Sequence, residues 1–256
     1  MNKTTRTVVI IAVVLIIVGI IMCAIALFCG GGGLLNRVGL YLRLGPLDYQ
    51  QQEYSFAIQD IERLEVVTVA DDVSLHLNTE SDEIKITCVD SQYYEYDVAV
   101  SGNTLLVEYQ QRVAVNSIWQ QHAGDGEMQV DIWLPAAFLQ EGDISLSLIS
   151  GDAVIDNLQG ATLSVESISG EIEFYRCAFS CMRLDSVSGD IAGTILGNYE
   201  DYRIEYDTIS GDVELNGAKG SASATREIWL NTVSGDIDLN FIQSFTEAMN
   251  RLDEAA

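Results

Sequence analysis

LISGDAVI at 148–155, SISGEIEF at 167–174, SVSGDIAG at 186–193, TISGDVEL at 208–215 and TVSGDIDL at 232–239 are five versions of one sentence. They are centred on Gly151, Gly170, Gly189, Gly211 and Gly235, at intervals of 19, 19, 22 and 24 residues. Counted from the glycine, position minus seven holds Ile144, Leu163, Met182, Ile204 and Ile228, and minus five holds Leu146, Val165, Leu184, Tyr206 and Leu230. Minus two holds Ile149, Ile168, Val187, Ile209 and Val233; plus two holds Ala153, Ile172, Ile191, Val213 and Ile237; plus four holds Ile155, Phe174, Gly193, Leu215 and Leu239. Among these 25 positions Gly193 alone is not apolar. Minus four holds Ser147, Glu166, Asp185, Asp207 and Asn231, and minus one is always Ser, so apolar and polar positions alternate as half-buried strands require.

A unit this short cannot bury its inner face alone. Stacked at the strand spacing of ~4.8 Å, five such units turn each column into a continuous apolar ladder. The expected fold class is therefore all-β: a parallel β-solenoid over 143–240, each segment lying on the one before it. Glycine is expected at the corner because it tolerates positive φ, with Ser and Asp beside it to bond the turn. The extra residues of the longer repeats all fall between plus four and the next minus seven, so insertions gather on one side, where a solenoid displays a binding surface. In that connection Cys177 shares a register with Leu158 and Leu196 and is expected to point inward, with Cys181 outward and no disulfide between them.

Upstream, residues 55–142 read as alternating strands: Val73, Leu75 and Leu77; Ile84, Ile86 and Cys88; Tyr96, Val98 and Val100; Met128, Val130, Ile132 and Leu134. They are expected to be irregular earlier rungs or an antiparallel cover over the N-terminal end. At the other end, Ser244 and Glu247 form a capping box, and Phe241, Phe245, Ala248, Met249 and Leu252 recur at helical spacing. Residues 241–256 are thus expected to cap the last rung.

From Val8 to Phe28 runs an uncharged, almost wholly apolar segment that as a helix reaches ~31 Å, enough to cross a bilayer core. Residues 8–29 are read as a transmembrane helix after a cytoplasmic stub at 1–7, with 30–54 as a juxtamembrane linker. Lys3 and Arg6 precede the span and Arg37 and Arg43 follow it, which leans toward a single-pass cell-membrane protein with its C-terminal domain extracytoplasmic.

The formal net charge is −25, from 13 Lys and Arg against 38 Asp and Glu, a field that repels phosphate backbones and excludes nucleic acid as a partner class. Neither histidine, His76 or His122, belongs to a metal or triad pattern, and surface positions are expected for both. The plus-one column, Asp152, Glu171, Asp190, Asp212 and Asp236, stacks carboxylates at the rung spacing, with repulsion of ~1 kcal/mol per neighbouring pair in water. Calcium is the sharper way to relieve this and carboxylates splaying onto turn amides the blander one. No cofactor and no catalytic residue is expected.

An N-terminal span, a strand region ending in VDIWLP at 130–135 and repeated [IV]SG[DE][IV] rungs together resemble the bacterial putative adhesin family, a domain of unknown function on membrane-anchored envelope proteins. The resemblance covers roughly residues 55–240. It implies a β-solenoid and an envelope location and brings no catalytic residues with it. The expected function is a non-enzymatic role in adhesion, cell-envelope organisation or envelope-stress sensing, through an envelope protein or glycan partner. The alternatives are a carbohydrate-active enzyme on a β-helix scaffold and an accessory subunit of a membrane signalling complex.

Overall fold

The computed structural model describes residues 49–91, 94–112, 129–215 and 220–242. The apolar segment Val8–Phe28, His122, the connection at 216–219 and residues 243–256 lie outside that range. Among the described residues no helix is long and apolar enough to cross a membrane. Two compact units divide the chain. The first comprises Met1–Tyr49, Ser91–Glu95 and Gln111–Gly126, and in it the Arg112 guanidinium pairs with Glu95 and donates to the Ser91 carbonyl at 3.4 Å. The second comprises Gln50–Asp90, Tyr96–Gln110 and Glu127–Ala256 and holds the repeat.

The chain is all-β. Its strands are β1 (Tyr49–Ala57), β2 (Arg63–Thr68), β3 (Asp72–Asn78), β4 (Glu83–Ser91), β5 (Tyr94–Ser101), β6 (Thr104–Gln111), β7 (Gln129–Pro135), β8 (Asp143–Ser150), β9 (Ala153–Asp156), β10 (Gln159–Ser169), β11 (Ile172–Ser188), β12 (Ile191–Leu196), β13 (Tyr202–Ser210), β14 (Val213–Glu214), β15 (Arg226–Ser234) and β16 (Ile237–Ile242). Among the described residues one short α-helix, α1 (Ala136–Leu139), buries Phe138 and Leu139.

Each repeat puts one strand on either side of its glycine, and the two sets stack into two rows. The strand before the glycine lies in the row β6-β2-β8-β10-β11-β15-β13, and the strand after it in the row β7-β3-β9-β11-β12-β16-β14. The 17-residue β11 runs through both rows. All of these pairings are parallel, whereas β4 crosses β7 antiparallel at Ile86↔Ile132.

Registers match the sequence columns residue for residue. Leu163 faces Ile144 and Met182, Val165 faces Leu146 and Leu184, and Ile172 faces Ala153 and Ile191. These positions are almost wholly withdrawn from solvent, as a dry shared interior demands. At ~25 cal/mol per Å² of apolar area, such columns are the main stabilising contribution.

The rungs do not follow one another in sequence order, contrary to expectation. β15 and β16, the Gly235 rung, insert between the Gly189 and Gly211 rungs: Ile191 pairs with Ile237, and Ile237 with Val213. The Gly211 rung is therefore outermost. The physical reason lies in the two longest connections, residues 194–203 and 216–227, which flank it and have the length to step past a neighbouring level and return.

Two rungs precede the repeat in space. Leu64, Val66, Val73 and Leu75 occupy the same columns as Ile144, Leu146, Ala153 and Ile155, around a corner in which Asp71 stands where glycine is expected. Beyond them, Leu105, Val107, Val130 and Ile132 form a further level. The 55–142 strands thus include parallel rungs together with β4, which pairs antiparallel with β7.

Three finer expectations are corrected. The inward column nearest the corner is minus three, not minus two. Leu148, Ser167, Ser186 and Thr232 are buried, whereas Ile149, Ile168, Val187 and Val233 are half-buried, because period two counted from minus seven and minus five continues to minus three. Cys177 is buried but pairs with Ile195 rather than Leu196, since the register shifts between Phe174 and Cys177. Phe241 and Ile242 belong to β16, so any capping helix starts after them.

Gly193, the exception in its column, is explained by its neighbour. A Cβ there would lie 2.1 Å from the Phe174 carbonyl oxygen and 2.5 Å from its ring, so the large side chain of one rung occupies the place of the missing one in the next.

Candidate functional site

The SGD corners form a ladder of their own. Gly151, Gly170, Gly189, Gly235 and Gly211 have φ between 146 and 155°. A Cβ on Gly170 or Gly189 would lie 2.1 Å from the carbonyl oxygen of the glycine one rung before, and on Gly211 2.0 Å from that of Gly235. Glycine is needed twice over, for the dihedral and for backbone-to-backbone approach.

The acidic residue after each glycine bridges rungs. The Asp152 amide donates to Asp72 Oδ1 at 2.8 Å and the Glu171 amide to Asp152 Oδ1 at 2.8 Å. Further along, the Asp236 amide donates to Asp190 Oδ1 at 2.7 Å and the Asp212 amide to Asp236 Oδ1 at 2.7 Å. The Asp72, Asp152, Asp190 and Asp236 carboxylates are each thereby compensated by a charge-assisted bond from the next level, whereas among the described residues no such bond runs to the Glu171 or Asp212 carboxylate. The column is a structural device, with Asp72 as a member that the SGD pattern did not reveal. Among the described residues no group of three or more His, Cys, Asp or Glu is placed to hold a metal ion.

Beneath the corner, the minus-three hydroxyls face inward. Thr232 Oγ1 donates to the Gly189 carbonyl and Thr208 Oγ1 to the Gly235 carbonyl, both at 3.3 Å. Ser167 and Ser186 are buried there without a protein partner for Oγ. At the glycine-free corner, buried Asp71 accepts from the Tyr96 hydroxyl, and its carbonyl accepts from Thr68 Oγ1 at 3.3 Å.

Cys88, Cys177 and Cys181 are free thiols. Burial pushes Cys88 and Cys177 up to about 12, so neither supplies a thiolate nucleophile near neutral pH. Burial, then the neighbouring Glu227 carboxylate, also raises Cys181. Glu166, on the outer face of β10, is raised by burial and then by the charge of Asp185 one rung away.

The outer face of the second row carries a denser cluster. The His76 ring on β3 stacks on Trp133 of β7, with centroids 5.5 Å apart and planes at 30°, and Lys85 of β4 is opposite Trp133. His76 Nε2 is 3.3 Å from Asp131 Oδ1, which also accepts from Gln129 Nε2 at 2.8 Å; the same amide donates to Ser74 Oγ at 3.0 Å. His76 is therefore a partly covered member of a polar network rather than a free surface side chain. Sequence alternation marks Asp131 and Trp133 as outward, yet only the β3–β7 register brings them to His76.

Cations are scarce and engaged. Among the described residues Arg63, Lys85, Arg112, Arg176, Arg183 and Arg203 sit in ion pairs with carboxylates. Arg226 lies over the Tyr202 ring at 5.3 Å and donates to its hydroxyl at 2.9 Å. The surface offers no block of spare positive charge among these residues to a polyanion.

The family model described as Toastrack DUF4097 matches residues 116–253, more than half of the chain. The chain belongs to the Toastrack DUF4097 family. A solved structure of a "putative cell adhesion protein" from Clostridium sporogenes is 14% identical to this Toastrack chain, with a TM-score of 0.57 over 76% of this chain and 100% of that one. A "putative adhesin" from Bacteroides fragilis is 13% identical over 74% and 97% of the two chains at a TM-score of 0.36, an overlap too loose to argue from. No curated protein matches the chain. At these identities the first likeness establishes the shared fold of the Toastrack ladder and nothing finer.

Proposed function

We propose that this Toastrack protein is a non-enzymatic envelope module. Held at the cell membrane by Val8–Phe28 with its ladder extracytoplasmic, it serves in adhesion, envelope organisation or envelope-stress sensing. The observation that carries this reading is the use to which the repeated carboxylates are put. The groups that glycoside cleavage would need in a cleft are hydrogen-bonded into the corners that hold the rungs together.

What remains for recognition is the outer surface. With a formal charge of −25 and its described cations already engaged, it favours a neutral or basic partner: an envelope glycan or a basic envelope protein. The half-buried Trp133 indole, flanked by His76 and Lys85, is the place where a sugar ring or a basic side chain finds an aromatic face beside polar groups.

The test is capture of partners by the intact chain in its native membrane under envelope stress, comparing wild type with Trp133→Ala. Recovery of an envelope glycan or protein by the wild type, reduced at least tenfold in the variant, is the expected result. Release of product from cell-wall glycan by the purified chain, lost on changing a carboxylate pair, would replace this reading with an enzymatic one.

A further inference from the structure

Five residues after each corner, the outward side chains of the second row form a column of their own. Trp133 of β7 faces His76 of β3; Leu75 faces Ile155, which brings the next residues, His76 and Asp156, side by side; and Asp156 of β9 faces Tyr175 of β11. Four successive levels thus present Trp133, His76, Asp156 and Tyr175 in one line that spans three rung steps, ~14 Å. Three of the four carry rings. Tyr175 is 43% exposed, the His76 and Asp156 side chains are 34% and 41% exposed, and Trp133 is half-buried.

The line has a low point and an end. Asp156 stands between His76 and Tyr175, whose levels are ~9.6 Å apart, so a carboxylate lies between an imidazole and a phenol. Beyond Tyr175 the chain passes through Arg176, at φ 52°, where the register to β12 shifts, and such a bulge re-aims the side chains beside it. Past that shift β12 and β16 offer Thr194 and Asn240, so the ring-bearing stretch stops at Tyr175.

We propose that this column is the contact line of a linear glycan without acid groups, lying across the rungs along the stack. The inference rests on the reading of Trp133 as a recognition point and extends it to Asp156 and Tyr175. Charge selects the class of ligand. The carboxylates along the line are already engaged: Asp131 by Gln129 and His76, Asp156 by Arg176 Nη2 at 3.1 Å, and Glu173 by the Tyr175 hydroxyl at 2.8 Å. A polycation finds their charge largely compensated, while the formal charge of −25 repels a chain of uronate or phosphate groups. An uncharged pyranose chain needs neither. Its C–H faces pack on the rings, and its hydroxyls donate to lone pairs that remain on carboxylates with about four acceptor sites each. A β-1,4-linked chain is already an extended ribbon, so spanning three rungs costs it little conformational freedom.

The test is titration calorimetry of the full chain in detergent with β-1,4-linked N-acetylglucosamine and β-1,4-linked glucose oligomers, from dimer to hexamer. For at least one series the tetramer is expected to bind the wild type at least tenfold more tightly than the dimer, because only the longer chain reaches from Trp133 to Tyr175. Tyr175→Ala should reduce that ratio to twofold or less, and Tyr175→Phe, which keeps the ring, should restore it. Tyr199→Ala, which removes a tyrosine of equal exposure on another segment, should leave the ratio unchanged. Binding of neither series, a ratio indifferent to Tyr175→Ala, or tighter binding of oligogalacturonate or hexalysine than of the neutral tetramer would each overturn the inference. If Trp133→Ala still abolishes capture from the native membrane in those cases, the proposed function stands without it; if that capture is also lost from the wild type, both fall.

Discussion

Replacing Gly189 by alanine tests whether the corners, and not merely the columns, hold the stack together. The new Cβ would lie 2.1 Å from the Gly170 carbonyl oxygen and 2.8 Å from its carbon, where ~3.3 Å is the closest comfortable approach of carbon to oxygen. Relieving about 1 Å of overlap pulls the two corners apart and weakens the bonds from the Gly170 amide to Ser188 and from the Ile172 amide to Asp190. Each is worth ~1 kcal/mol net, and a non-glycine residue at φ 154° costs a further ~1–3 kcal/mol. The expected loss is ~3–5 kcal/mol, a large fraction of a typical total of about 5–15 kcal/mol. Gly102→Ala is the control: φ is +63° and nothing lies within 4 Å of the added Cβ, so it should cost only ~1–2 kcal/mol. Urea unfolding of the full chain in detergent, with both variants and wild type at equal slope, measures the difference. A Gly189→Ala loss within about 1 kcal/mol of the Gly102→Ala loss, on that same scale, would refute backbone contact as the reason for glycine at the corner.

Three further outcomes follow from the same geometry. Glu171 is the one glutamate in the plus-one column, and among the described residues no bond runs to it from the Asp190 amide, so Glu171→Asp should complete the ladder and raise stability by ~0.5–1 kcal/mol; a loss in the same unfolding assay would count against the amide-to-carboxylate scheme. Ser186→Ala removes a buried hydroxyl without a protein partner and should be neutral or stabilising by up to ~1 kcal/mol, whereas a drop of that size would show the hydroxyl is bonded. Glu166, held above the ordinary carboxylate range by burial and by Asp185, favours folding while protonated, and that contribution is lost as pH rises through its folded value. Glu166→Gln should accordingly unfold at a higher temperature than wild type at neutral pH, with the gap closing as pH falls to the ordinary glutamate range; a gap that widens on acidification is inconsistent with the assigned shift.

The columns were legible because a parallel stack copies each residue's environment into the next rung. Ile144, Leu163 and Met182 share one fate, and five repeats report it five times. The corner glycines were legible for the same reason, although the decisive contact, one carbonyl against the next rung's glycine, depends on two repeats at once. Of the two earlier rungs, β3 and β7 were recognised as strands but not as members of the same columns, and β2 and β6 were not singled out. Asp71 replaces glycine in one, and the segment joining β6 to β7 carries no repeat motif. The cluster of His76, Asp131, Gln129 and Trp133 was invisible because Asp131 is 55 residues from His76 and the two strands meet only through one register.

Sequence by itself determined which side chains face the interior in every column but the one nearest the corner, why glycine and aspartate punctuate each unit and what charge the surface carries, since all three are properties of one rung repeated. Tertiary structure decided the order in which rungs lie, with the Gly235 level inside the Gly211 level, and hence which level stands at the end. The reason is that equivalent rungs present nearly identical faces, so local pattern cannot rank the ways of stacking them. The lengths of the connections at 194–203 and 216–227, and the fit of Phe174 over Gly193, bear on that choice only in three dimensions.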